Sequence, residues 1–296
     1  MKICYIIVNK NDYLSTKHLV DNIIDYKIID HILIIDNASI QEERRKIESI
    51  TNEKIEKIFN GEDKGYSFAI NKGCNYLIDK YNDCIFIISN SDIVIVSESD
   101  IEKLVEDLSY ENIGLVGPQL LERGKILRGR KIPTPKQDII SNLNMRYSNI
   151  EYPEEYYKDD TSFVEVISSA FFLMTSKTFK LIDGLDSNVF LYYEDNILAT
   201  KIKENKLYTI IDNRVKVKHK FSSTIEKEIK DLKKFKILSE SQMYFHEKYS
   251  KASSFELSLL KSSIKYRFIK YKTSKKFKWL NFFSFMICLL EFLYIV

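Results

Sequence analysis

The chain has 296 residues, 45% of them hydrophobic, with a formal net charge of +3. That length admits one large α/β domain with an appendage or two small domains, and the apolar content is ample for a buried core, which excludes a disordered chain. The four cysteines, Cys4, Cys74, Cys84 and Cys288, lie far apart with no C-x-x-C pair, which excludes a disulfide scaffold and predicts a reduced, cytoplasmic protein.

Met1 to Val8 is apolar but too short for the hydrophobic region of a signal peptide, and the polar run Asn9, Lys10, Asn11, Asp12 follows at once. It reads as a first β-strand. Further short apolar runs rich in β-branched residues recur at His31 to Ile35, Cys84 to Ile88, Ile113 to Val116, Val164 to Thr175 and Tyr208 to Ile211. Between the early ones lie helical spacings, first Leu14, Leu19, Val20, Ile23 and Ile24, then Phe68, Ile70, Cys74, Leu77 and Ile78. Strand alternating with helix predicts an α/β fold whose first half is a mainly parallel sheet flanked by helices. Residues 123–162, with three prolines and mixed charge, read as a long loop or insertion.

Ligands of such sheets sit beyond the carboxyl ends of the strands, where strand order reverses. The strand ends here are Asn9 to Asp12, Asp36 to Ser39, Asn60 to Gly65 and Ser89 to Asp92. Each of them, taken singly, is also an ordinary turn sequence. What carries information is their order: V-N-K-N-D at 8–12, I-I-D-N-A-S at 34–39, D-K-G-Y-S-F-A-I-N-K-G at 63–73, S-N-S-D at 89–92, F-L-Y-Y-E-D at 190–195, then His219. This ordered set resembles glycosyltransferase family two with the GT-A fold, and within it the rhamnosyltransferase-like branch, over about residues 3–219.

The resemblance implies transfer of a sugar from a nucleoside diphosphate donor, a UDP- or dTDP-sugar, to a hydroxyl of a glycan or lipid-linked saccharide acceptor. It implies inversion at the anomeric carbon and a divalent metal, Mn2+ or Mg2+. Asp36 would accept a hydrogen bond from the pyrimidine base, and Asn9 would belong to the same nucleotide pocket. Gly65 would let the backbone approach the nucleotide, and Asn71 matches a family asparagine on the helix that follows. Asn90 and Asp92 stand at the family's metal motif. Side chains at i and i+2 of an extended segment share one face, so both can meet the donor diphosphate. His219 matches a position that coordinates the metal in some members, and a neutral imidazole ligates Mn2+ well. Asp195 would be the base that takes the acceptor proton, with Glu194 beside it, both at a helix N-terminus that favours ionised carboxylates. Asp183-Gly184-Leu185-Asp186 resembles the family's G-G-F-D turn, and Tyr192 and Tyr193 would line the acceptor pocket. A lone E-D pair is otherwise a helix cap, and a lone histidine between Lys218 and Lys220 is otherwise structural.

Residues 221–296 hold 15 Lys/Arg against 7 Asp/Glu, leaving 30 against 35 upstream. The predicted organisation is a catalytic domain over 1–220 and a helical, basic and apolar region over 221–296. Glu226 to Lys236 reads as solvated helix. Eight basic residues and no acid lie between Lys261 and Lys278, followed by the apolar run Trp279 to Val296, interrupted by Asn281, Ser284 and Glu291. Residues 261–296 are thus predicted to lie on an anionic membrane surface, placing the protein at the inner face of the cell membrane. The competing expectation is that Trp279 to Val296 packs as a buried helix against the catalytic domain or against a second subunit in a homo-oligomer. A nucleotidyltransferase would carry a glycine-rich phosphate loop after the first strand, and Asn9 to Asp12 has no glycine. A nucleic-acid-binding role for the basic tail leaves the E-D and N-S-D segments unexplained, so no nucleic acid is expected.

Overall fold

The computed structural model describes residues 1–95, 97–145, 150–220 and 231–274. They form two compact units, one from the described residues of 1–132 and 151–230, the other from those of 133–150 and 231–296.

The first unit opens with β1 (Lys2–Asn9), α1 (Tyr13–Ile23), β2 (His31–Asp36), α2 (Gln41–Glu48), β3 (Ile55–Phe59), α3 (Tyr66–Tyr81) and β4 (Cys84–Asn90). β1 and β2 read as unbroken apolar runs because both faces of the sheet are covered. Alternate residues enter two cores. Tyr5 and Ile7 join Leu19, Val20 and Ile23 of α1, while Cys4, Ile6 and Val8 join Ala69, Ile70, Cys74 and Leu77 of α3. Asp12 caps α1 by accepting from the Ser15 backbone N–H at 3.2 Å, which fixes where the first loop turns.

β2 and β3 lie on one side of β1 and β4 on the other, all four parallel. The order therefore reverses at β1, so Asn9, Asp36 and Asn90 come together at the carboxyl edge.

The second half continues with β5 (Ile93–Val94), α4 (Glu98–Asp107), β6 (Ile113–Glu122) and β7 (Lys125–Leu127), then β8 (Thr161–Val164), β9 (Phe171–Thr175), α6 (Ser176–Leu181), α7 (Glu194–Glu204) and β10 (Tyr208–His219). The sheet runs β3-β2-β1-β4-β9-β6-β10-β5. β9 is antiparallel to both β4 and β6, whereas β10 is parallel to β6. The parallel character predicted for the first half thus holds there, and the second half is mixed. The apolar run from Val164 to Thr175 is two strands separated by residues 165–170. The strand expected at Tyr208 to Ile211 continues to His219, past an irregularity between Asp212 and Lys216.

The span 123–162, read as loop, holds β7, the helix α5 (Pro135–Leu143) and the start of the path to β8. The local signal for α5 is a capping box: Thr134 and Gln137 exchange side-chain and backbone hydrogen bonds, with Pro135 in the first turn.

The second unit packs α5 with α8 (Asp231–Lys248) and α9 (Ser254–Ser274). Asn142 holds it together, donating to Gln242 at 3.0 Å and to Ser263 at 3.1 Å, and accepting from Arg267 at 3.0 Å. The buried side chains of Asp138 and His246 lie 2.7 Å apart. The boundary drawn at 220 from sequence therefore differs from the compact units, because residues 133–150 join the C-terminal helices. Of the solvated helix expected over 226–236, only the part from Asp231 lies in described residues, at the start of α8, and the apolar run Trp279 to Val296 lies outside them. Among the described residues no helix is long and apolar enough to cross a membrane.

Candidate active site

Asn9 and Asp36 are register partners at the ends of β1 and β2. Both are buried. Asn9 donates to Asp36 Oδ1 at 2.8 Å, and the Ser39 backbone N–H donates to Asp36 Oδ2 at 3.1 Å. Thr16 donates to Asn9 Oδ1 at 2.9 Å, which fixes the amide so that its NH2 faces the carboxylate. The sequence reading missed the polar side chains that continue this floor. Asn37 donates to Asp63 at 2.7 Å, Asn60 to Asn37 at 3.0 Å, Lys72 to Asn60 at 2.8 Å, and Lys10 pairs with Asp63 at 3.0 Å. A signal was present, since Asn37 and Asn60 follow or close strand ends.

Gly65 has φ +97°, and a Cβ there would lie 2.5 Å from the Phe190 carbonyl oxygen. The close approach that this glycine admits is thus that of the Phe190 backbone, whose oxygen also accepts from Tyr66 N at 3.3 Å. The start of α3 is thereby tied to the segment leading into α7. Asn71 is not in the strand-end cluster. Its amide donates to the Leu185 carbonyl at 2.7 Å and accepts from the Leu185 N–H at 2.9 Å, so it braces the Asp183 to Asp186 turn.

Asn90 ends β4, its N–H donating to the Ala170 carbonyl at 3.0 Å, and it is half-buried. After the turn, β5 pairs with the end of β10, setting His219 opposite Ile93, and Lys220 N donates to the Asp92 carbonyl at 3.0 Å. This pairing brings His219 Nε2 to 3.1 Å from Asp92 Oδ1, with both side chains buried. Glu122, at the end of β6, holds His219 Nδ1 at 2.9 Å. Burial opposes charge on this imidazole, yet Asp92 and then Glu122 hold its pKa above the ordinary histidine value.

Two consecutive residues in left-handed backbone, Tyr192 (φ 69°) and Tyr193 (φ 64°), turn the chain into α7. Such conformations cost about 1–3 kcal/mol each in non-glycine residues and cluster where a site must be aimed. They deliver Glu194 and Asp195 in the first turn of α7. Ser169 donates weakly to Glu194 Oε1 at 3.3 Å, while Oε2 is buried with no hydrogen-bond partner among the described residues. Burial, and then the charge of Asp195, push the Glu194 carboxyl up to about 7. Asp195 is differently held. Arg130, absent from the sequence reading, donates to Asp195 Oδ2 at 2.7 Å and to Asn196 Oδ1 at 2.6 Å. Tyr66 links the parts: burial raises its hydroxyl pKa well above the tyrosine value, and the charges of Glu194 and Asp92 both add to that rise.

Several solved structures share this architecture. One, GalNAc-T7 with UDP, GalNAc and Mn2+, aligns over 92% of this chain with TM-score 0.59 and 12% identity. This chain spans 56% of that protein. The mannosyltransferase PcManGT from Pyrobaculum calidifontis, in complex with GDP-Man and Mn2+, aligns over all of this chain and 81% of its own, with TM-score 0.53 and 13% identity. TarS residues 1–349 from S. aureus align over 98% of this chain and 79% of their own, with TM-score 0.52 and 11% identity. No curated protein matches the sequence. The family model described as Glycosyl transferase family 2 matches residues 4–176, which run from β1 through the N-S-D turn to the end of β9. With more than half of the chain matched and a GT-A sheet beneath it, this protein is a glycosyltransferase and belongs to glycosyl transferase family 2.

Proposed function

We propose that the enzyme transfers a sugar, with inversion, from a pyrimidine nucleoside diphosphate to a hydroxyl of a glycan or lipid-linked saccharide, as in surface polysaccharide synthesis by the rhamnosyltransferase-like branch. The observation that carries this reading is the Asp92–His219 pair at 3.1 Å, with Glu122 behind the imidazole and Tyr66 in electrostatic reach of both Asp92 and Glu194.

Asn9 and Asp36 form the floor for the base, with the Asp36 oxygens already oriented by donors and each retaining a lone pair. The donor set suits Mn2+ or Mg2+. A carboxylate and an imidazole converge, and a second carboxylate orients the ring nitrogen that would not ligate. Among the described residues no group of three His, Cys, Asp or Glu could hold a metal, so diphosphate and water oxygens would complete the coordination, Asn90 helping to place the diphosphate. The cation would neutralise charge building on the departing diphosphate.

Asp195 is the base. It sits at the N-terminus of α7 with Arg130 fixing one oxygen, and it accepts the proton that the acceptor hydroxyl loses on attacking the anomeric carbon. Glu194 beside it is raised to about 7 by burial and by the charge of Asp195. A donor-hydrolysis screen over uridine, thymidine and guanosine diphosphate sugars, each with Mn2+, Mg2+ or EDTA, tests the reading. Hydrolysis of a pyrimidine donor that EDTA abolishes is expected, and turnover of guanosine donors alone would reject the pyrimidine assignment.

The basic stretch from Lys261, whose first part lies on α9, is the proposed contact with anionic lipid at the inner face of the cell membrane. Flotation of the full chain with liposomes containing anionic lipid tests this. Retention in the lipid-free fraction at low salt would reject it and leave tail-mediated association of copies, read by sedimentation, as the alternative.

A further inference from the structure

A cleft of about 460 Å3 opens in the first unit at the end of α7 remote from Glu194 and Asp195. Four aromatic side chains wall it: Tyr152, Tyr156, Phe163 and Tyr208. They are arranged as two pairs, Tyr152 stacked on Tyr156 at 4.7 Å between centroids and Phe163 edge-on to Tyr208 at 5.5 Å. Phe163 is 57% and Tyr208 56% exposed, an unusual outlay of ring surface for side chains whose packing needs only each other. The polar groups of the wall are Glu165, Lys203 and Lys206. Glu165 is fixed by the Ile132 N–H at 2.8 Å and by Lys203 at 2.7 Å. The volume falls in the range of small-ligand sites, and a few placed polar groups among aromatic faces is the usual composition of such a site.

The cleft is linked to the catalytic pair by a short chain of hydrogen bonds. Glu165 adjoins Val166, which exchanges two backbone hydrogen bonds with Arg130, and Arg130 holds Asp195. Along α7 the eight steps from Asp195 to Lys203 rise about 12 Å, a reach of a few glycosyl units rather than one. Exposed aromatic faces pack against the C–H faces of pyranose rings, while carboxylate and ammonium groups bind hydroxyls.

We infer that this cleft is a second saccharide subsite, which holds pyranose rings of the acceptor glycan a few units away from the hydroxyl that reacts. The inference rests on the reading of the enzyme as a transferase to a glycan. A subsite there selects acceptors by length: chains long enough to fill it gain affinity, and short ones do not.

The test uses the full chain and an array of neutral, uronate-bearing and phosphate-bearing oligosaccharides of two to eight units. Retention that grows with length is expected, with Tyr208→Ala and Phe163→Ala each weakening it about tenfold, or roughly 1.4 kcal/mol. Lys206→Gln should weaken it less. Melting temperature and its rise with UDP and Mn2+ are measured on the same proteins and should not move, because these side chains are exposed and remote from Asp36 and Asp92. Retention that is absent, or unchanged in both aromatic variants, overturns the subsite. So does a dimer that the two variants dissociate in sedimentation, which would make the cleft an interface between copies. If the nucleotide fails to raise the melting temperature of the parent protein, it is the donor reading that falls instead.

Discussion

Asp36 and Glu194 are both enclosed carboxylates near the carboxyl edge of one sheet, yet their surroundings differ. Each oxygen of Asp36 meets a donor, the Asn9 amide and the Ser39 N–H. Among the described residues Glu194 has a weak side-chain donor, Ser169, and its other oxygen is buried without a hydrogen-bond partner. An enclosed carboxylate with matched donors is a rigid recognition element, because its hydrogen bonds are made before the ligand arrives. One without them binds a proton more readily, and Glu194 is accordingly pushed up to about 7. The fold thus builds a preorganised floor on the β1–β2 side and a proton-exchanging corner at the start of α7.

The largest expected effect falls on the corner. Asp195→Asn should lower transfer by about a hundredfold to ten-thousandfold, the usual worth of general-base catalysis, while a nucleotide diphosphate still raises the melting temperature. Near-normal transfer in this variant would move the base to Glu194, the residue whose oxygen is unpartnered.

Next in size is the metal side. A nucleotide present at a hundredfold over its Kd stabilises by about 2.7 kcal/mol, and with UDP that rise should be larger with Mn2+ than with EDTA. In Asp92→Asn the two buffers should give the same rise; a persisting difference would remove Asp92 from the metal site.

The floor responds differently, through stability as well as binding. Asp36→Ala would take the acceptor from the Ser39 N–H and leave the Asn9 amide only its 3.3 Å contact to Ser39 Oγ, at a cost of about 1–3 kcal/mol, and nucleotide binding should weaken with it. Urea unfolding measures the first and the thermal shift the second. If stability is lost and nucleotide binding is unchanged, Asp36 is structural only.

The corner also gives a pH dependence. Glu194 rises from an ordinary 4.5 to about 7 in the folded state, so the folded protein keeps a proton that the unfolded chain releases in that window. The stability it lends is present below the window and lost as pH rises through 7. Glu194→Gln, which cannot titrate, should therefore gain in melting temperature relative to the parent at pH 8 compared with pH 5. A difference that stays constant with pH would show that the corner does not hold the proton.

Most of the strand-end cluster was legible because its parts are local. Asn9 and Asp36 close apolar runs whose length and β-branching already mark them as strands, and neighbouring parallel strands put their ends side by side. Glu194 and Asp195 were legible for a similar reason, since they precede a helical spacing. Arg130 was not. It stands alone between Gly129 and Lys131 in a span without periodicity, 65 residues from the Asp195 it holds. Glu122 is 97 residues from His219, and only the parallel pairing of β6 and β10 puts their ends together. Asn71 shows the converse: its place in the motif suggested a ligand contact, while the turn at Leu185, 114 residues away, takes both ends of its amide.

The amino-acid sequence by itself determined the elements and their class: unbroken apolar runs make strands covered on both faces, helical spacings make the layers, and the polar residues that end each strand mark the functional edge. It also set local devices such as the Asp12 cap and the Thr134–Gln137 capping box. Tertiary structure decided which charges meet. It gave one carboxylate a donor on each oxygen, left another poorly bonded and made a third the partner of Arg130, and it packed α5, through Asn142 and Ser263, 121 residues apart, with the C-terminal helices. The physical reason is range. Propensity and periodicity act over a few residues, whereas the solvation and pairing of a buried carboxylate depend on groups that the chain brings together only once the sheet has closed.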